Sequence, residues 1–133
     1  MIEAYFTEIE RTIQAFPGVR FLSLTKKIYN STQGYIGGSI VFKNNHRLDF
    51  VEVKNTDYSK KVKYRYHYMD EDQNMIFRYD NAPHHTNLST FPHHKHEFDE
   101  NKVVSSPEVN LDRVGSSGFM GISKTNEKDR LII

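Results

Sequence analysis

Five runs of strand-forming sequence follow one another across residues 21–29, 35–43, 46–54, 61–69 and 75–80, separated only by brief polar breaks. Each run is rich in aromatic and β-branched residues, the types that suit a pleated, half-buried surface. A parallel pair needs a crossover of a dozen or more residues, and none of the breaks is that long. The runs therefore pair as neighbours in an antiparallel meander. Asn44–Asn45 reads as a two-residue hairpin turn, because Asn tolerates positive φ. Gly37–Gly38, inside the second run, predicts a bulge or bend that curves the sheet. Val103–Val104 suits a sixth, short strand.

Ahead of the strands, Ile2, Phe6, Ile9, Ile13 and Phe16 recur at three- and four-residue steps, the apolar stripe of an amphipathic helix closed by Pro17–Gly18. Near the end, Asn110 can cap a short C-terminal helix beginning at Leu111. The expected fold is α+β: a curved antiparallel β-meander of about five to six strands packed on an N-terminal α-helix. One face of the sheet is then covered and the other left open for function. Residues 1–114 form one α+β domain in this reading, and 115–133 an irregular tail. A chain of 133 residues with eight Tyr and nine Phe can bury a core of that size without staples.

With no cysteine, disulfides and thiolate metal sites are excluded and a reducing compartment is expected. The opening MIEAYFTEIERTI is too polar for a signal peptide, and no apolar run approaches the roughly 18 residues of a membrane span. The expected location is the cytoplasm, with no membrane partner. A net charge of +1 permits a nucleic-acid partner without demanding one.

Four constellations carry chemistry. In Arg78-Tyr79-Asp80, alternation puts Arg78 and Asp80 on one face, where they can pair or present a cation and a base. Residues 84–96 hold five of the seven histidines. In an extended chain His94 and His96 point one way, His93 and Lys95 the other. Joined by His84 or His85, that pair can act as general acid and base with a pKa near neutrality, without any cofactor. The alternative is that His84, His94 and His96 hold a divalent metal of the zinc or nickel kind in a non-catalytic metal-binding or interaction module. A third possibility is purely structural histidines among the aromatics. Glu52 shares a face with Leu48 and Phe50, so it must be paired or serve a site. Its Glu-x-Lys spacing with Lys54 is that of metal-dependent nucleases, but residues 36–42 lack the further acid such a core needs. Finally, Tyr64, Tyr66 and Tyr68 alternate with Arg65 and His67. Most of the tyrosines are expected in the core, with Tyr66 and His67 as candidates for contact with bases.

The stretch from Tyr64 to Ser106 resembles the TumE-like family of small bacterial and archaeal proteins. The resemblance lies in Tyr64, Tyr66 and His67, the Arg-Tyr-Asp-Asn-x-Pro-His run from Arg78 to His84, Phe-Pro-His-His-Lys-His from Phe91 to His96, and Ser106-Pro107-Glu108. It implies the toxin of a two-gene toxin–antitoxin module, with a cognate antitoxin encoded beside it. RNA cleavage follows by analogy with other small α+β toxins. No residue role is carried over from the family. The residues themselves assign acid–base work to His84, His94 and His96, phosphate to Arg78 and Lys95, substrate contact also to His93, and orientation of a histidine to Glu52 or Asp80. Family members continue past Ser-Pro-Glu into a sizeable helix. Here residues 115–118 interrupt it, which implies a copy destabilised or inactive at its end.

Overall fold

The fold is known from a computed structural model that describes residues 1–115. Helix α1 (Ile2–Gln14) buries Ile2, Phe6, Ile9 and Ile13, the stripe read from the sequence. Each such side chain removed from water contributes about 1.5–3 kcal/mol. The helix stops at Ala15, and Gly18 makes the reversal with a φ of 71° that only glycine adopts freely.

Seven strands follow: β1 (Val19–Ile28), β2 (Gln33–Phe42), β3 (Arg47–Asn55), β4 (Lys63–Met69), β5 (Met75–Asp80), β6 (His94–Glu97) and β7 (Asp99–Ser105). They form one sheet in chain order, every neighbouring pair antiparallel. The first five match the sequence runs. The last two arise because the histidine-rich segment itself becomes a strand and hairpins through Phe98, at φ 63°, into β7.

Two local expectations are corrected. Pairing of β2 with both neighbours runs through Gly37 and Gly38 without a register shift, which rules out the bulge of the two alternatives and leaves the bend. Gly38 is required instead because a Cβ there would sit 2.0 Å from the Ser23 carbonyl oxygen of β1. The connection from β2 to β3 spans Lys43–His46 rather than two residues, although Asn45 does take the expected positive φ.

Register sorts the side chains into two faces. On the covered face, Ile36, Ile40, Phe42, Leu48, Phe50, Tyr64, Tyr66, Tyr68 and Phe77 pack with α1 and with Val109, Leu111 and Val114 into one core. Residues 111–115 are helical, consistent with the expected short C-terminal helix. The expectation about the tail beyond them lies outside the described residues. On the opposite face the cross-strand ladder brings together Asp49 with His67, His67 with Arg78, Arg78 with His96, and Asp80 with His94.

The covered face also holds charge. Glu52 is fully buried, and its carboxylate accepts hydrogen bonds from the Tyr66 hydroxyl at 2.6 Å and from the Tyr5 hydroxyl of α1. Lys54 donates to the backbone carbonyls of Tyr58, Ser59 and Lys60. Lys61 donates to Asn110 Oδ1 at 2.8 Å and to the Val109 carbonyl, beside Glu108. Every one of these buried charges has a partner, as burial demands.

A candidate imidazole site on the open face

The end of β5 and the start of β6 make the floor of the site. Asp80 closes β5, and its Oδ1 also accepts from the Ala82 backbone N–H at 3.0 Å, which turns the chain out of the sheet. Asn81 holds that exit in place. Its side chain accepts from the Tyr64 N–H at 3.0 Å and donates to the Val62 carbonyl at 3.2 Å. The chain then runs through turns at 83–93 and re-enters the sheet at His94. Re-entry is fixed by Thr90, whose hydroxyl donates to the His93 carbonyl at 2.7 Å and accepts from the Ser106 N–H.

Because β6 pairs with β5, His94 and His96 lie beside Asp80 and Arg78 and are almost fully buried. His94 Nδ1 is 3.0 Å from the Pro92 carbonyl, and His96 Nδ1 is 2.8 Å from the Glu100 carbonyl. A carbonyl can only accept, so each Nδ1 carries its proton and each Nε2 faces the site. The two Nε2 atoms meet different neighbours. That of His94 is 2.9 Å from Asp80 Oδ1, a carboxylate oxygen. That of His96 is 3.1 Å from Arg78 Nη2, a donor, so it offers its lone pair and the ring is neutral. Burial, then the Arg78 charge, holds the His96 pKa below the usual imidazole value.

Arg78 is the hub. Its Nε donates to Asp80 Oδ2 at 3.1 Å, and its two terminal nitrogens donate to Glu100 at 2.9 and 2.8 Å. Burial, the largest single effect, would lower the guanidinium pKa, but its hydrogen bonds to Glu100 and Asp80, with the charges of those two acids, raise it overall. In return the Arg78 hydrogen bonds hold the Glu100 carboxyl below its ordinary value. A cleft of about 310 Å³ opens onto these groups, its rim formed by Lys63, Arg65 and His84.

The structure brings His94, His96, Arg78 and Asp80 together, with His84 exposed at the cleft rim and His67 next to Arg78 on the same face. It is His85, rather than His84, whose ring sits against the pair, with centroids 4.7 Å from His94 and 5.7 Å from His96. Four expected site residues belong elsewhere. Glu52 and Tyr66 are bonded to each other on the covered face, with the sheet between them and the imidazoles. Lys95 points to that side too, its Nζ 5.3 Å from the Tyr79 ring centre and paired with Glu97. His93 stacks on Tyr64 and shares a 2.9 Å hydrogen bond with its hydroxyl. Glu100 and Lys63 also line the cleft, and nothing in the sequence pointed to either. Glu100 lies on β7, whose Asp-Glu-Asn-Lys composition gives no strand signal.

Among the described residues no helix is long and apolar enough to cross a membrane. The family model described as Toxin TumE matches residues 9–116. No curated protein and no solved structure matches.

Proposed function

This chain belongs to the TumE toxin family, and from that premise we propose that it is the toxin of a two-gene module, neutralised by a cognate antitoxin and acting in the cytoplasm on RNA. The observation that carries the reading is the pair of adjacent imidazoles with opposite neighbours, His94 beside a carboxylate and His96 beside a guanidinium.

Metal-free RNA cleavage needs one group to take the 2′-OH proton, one to protonate the 5′-oxygen as it leaves, and a cation on the phosphorane. In this reading His96 Nε2 is the base, since it presents a lone pair. His94 is the acid, with the Asp80 carboxylate beside it. The 2′-oxygen bonds to phosphorus, the P–O5′ bond breaks, and the 5′-oxygen leaves with the His94 proton. Arg78 holds the non-bridging oxygens, with the exposed Glu100 carboxylate giving way to phosphate. Lys63 and Arg65 draw the RNA backbone to the rim.

The test is the His94→Gln, His96→Gln double variant, expressed in cells and assayed on RNA in vitro. With circular dichroism unchanged, cleavage should fall by about 10²–10⁴-fold and toxicity should disappear. A variant as toxic and as active as the parent would overturn the proposal.

A further inference from the structure

We propose that His85, His94 and His96 form a site for a single divalent transition metal ion, Zn²⁺ foremost, and that the bound ion switches off the acid–base pair. The site stands by itself; the switching rests on the RNA-cleaving function proposed above.

One ring nitrogen from each of the three histidines lies within 4.8 Å of the other two. In a tetrahedral site with Zn–N bonds of about 2.0–2.1 Å the nitrogens stand roughly 3.4 Å apart. Closing the gap therefore takes side-chain movement of about an ångström. Two of the rings already have the outer-shell arrangement of metal-bound histidines, because the Nδ1–H groups of His94 and His96 are tied to backbone carbonyls and turn Nε2 inward. The Asp80 carboxylate, 2.9 and 3.7 Å from those two Nε2 atoms, supplies an oxygen for the fourth position.

Charge permits the ion. The Arg78 cation beside His96 is outnumbered by Asp80 and Glu100, and Glu100 grips the guanidinium through both terminal nitrogens. Three imidazoles and a carboxylate suit zinc, nickel or copper. Magnesium and calcium prefer all-oxygen sites. His85 is otherwise unemployed: among the described residues its ring makes no hydrogen bond, yet it stands edge-on to both partners at 71°. It also lines both the 310 Å³ cleft and a second pocket of about 240 Å³, so an ion can reach it from two sides.

The switching follows from the same atoms. Zn²⁺ displaces into solvent the proton that the proposed mechanism puts on His94 Nε2, and it occupies the His96 lone pair. The acid then has no proton to give and the base no pair to accept one. The ion also ties the 83–93 turns to β6 and lifts thermal stability.

The full chain, stripped of metal, is titrated with Zn²⁺ by calorimetry and with Co²⁺ as a visible-absorbance probe, while melting temperature and RNA cleavage are followed. We expect one ion per chain, a tetrahedral Co²⁺ spectrum, a melting temperature that climbs with zinc, and cleavage reduced at least tenfold at saturation. His85→Asn should bind at least tenfold more weakly and retain basal cleavage that zinc no longer suppresses, whereas His84→Asn should bind as the parent does. Absence of binding, or equal binding by His85→Asn, overturns the site and leaves the proposed function standing. Binding accompanied by faster cleavage refutes the switch and the metal-free mechanism together. Binding by a chain that cleaves no RNA with or without zinc sinks the switch and the function while the site survives.

Discussion

Replacing Glu52 separates two roles that a buried acid can have. The carboxylate is fully buried and holds the hydroxyls of Tyr66 and Tyr5, so it links β3 to β4 and to α1. Both phenols have their pKa raised far above normal by burial and, secondarily, by Glu52 itself, so they remain donors at any working pH. Glu52→Ala leaves two buried hydroxyls without an acceptor, each costing about 1–3 kcal/mol. Relief from burying a charge offsets part of that, and the net loss is about 2–4 kcal/mol. At roughly 3–4 °C per kcal/mol the melting temperature falls by about 6–16 °C. Glu52→Gln keeps one acceptor and should lose less than half as much. Tyr5→Phe combined with Glu52→Ala should show coupling, since the two side chains share one hydrogen bond. Urea denaturation measures the stability, and RNA cleavage below the transition measures activity per folded molecule. Stability should fall while activity holds. A Glu52→Gln chain of parental stability that cleaves no RNA would show that the acid reaches the imidazole site, and would refute the two-face argument.

The remaining predictions concern pH, Arg78 and Gly38. His46, His67, His93 and His96 all have pKa values lowered chiefly by burial, so each binds a proton less readily folded than unfolded. Stability, followed by denaturant midpoint, should therefore decline as pH drops below about 6.5 and level off once pH is below the folded-state values; a flat profile from pH 7 to 5 would contradict it. For the same reason the acidic limb of kcat/KM should lie below pH 6.5, set by His96. Arg78→Lys keeps the charge but cannot reach Asp80, Glu100 and His96 at once. Cleavage should drop by about tenfold or more with the circular dichroism spectrum retained, and parental activity would remove Arg78 from the site. Gly38→Ala forces β1 away from β2 and should cost about 3 kcal/mol, the upper end for overpacking, measured by urea titration; a neutral result would mean that β1 gives way freely.

The helix and the first five strands were legible because each depends on local pattern: a stripe at 3.6-residue period, alternation at period two, and polar turns between. Of the last two, only the Val103–Val104 part of β7 was legible. His-Lys-His-Glu and Asp-Glu-Asn-Lys have little strand propensity, and they are strands because β5 offers an open edge that they complete. Alternation correctly put His94 and His96 on one side and Lys95 on the other, which by itself bars Lys95 from a site built on those histidines. Glu52 was visible as an acid in an apolar pattern. Its partner Tyr5 lies 47 residues away, and no local rule connects them. Between His84 and His85 the sequence offers no choice, because the turns at 83–93 have no period to say which ring faces inward.

The sheet is laid down in the order in which the chain is written. On the ribosome each new strand therefore meets its neighbour as soon as it emerges, without waiting for distant sequence. The His85, His94 and His96 imidazoles and the Arg78 guanidinium sit on β5, β6 and the turns between them, so a nascent or truncated chain acquires most of its core before it acquires the candidate site. Under the proposed function, a toxin built in this order becomes reactive only once its last strands are in place.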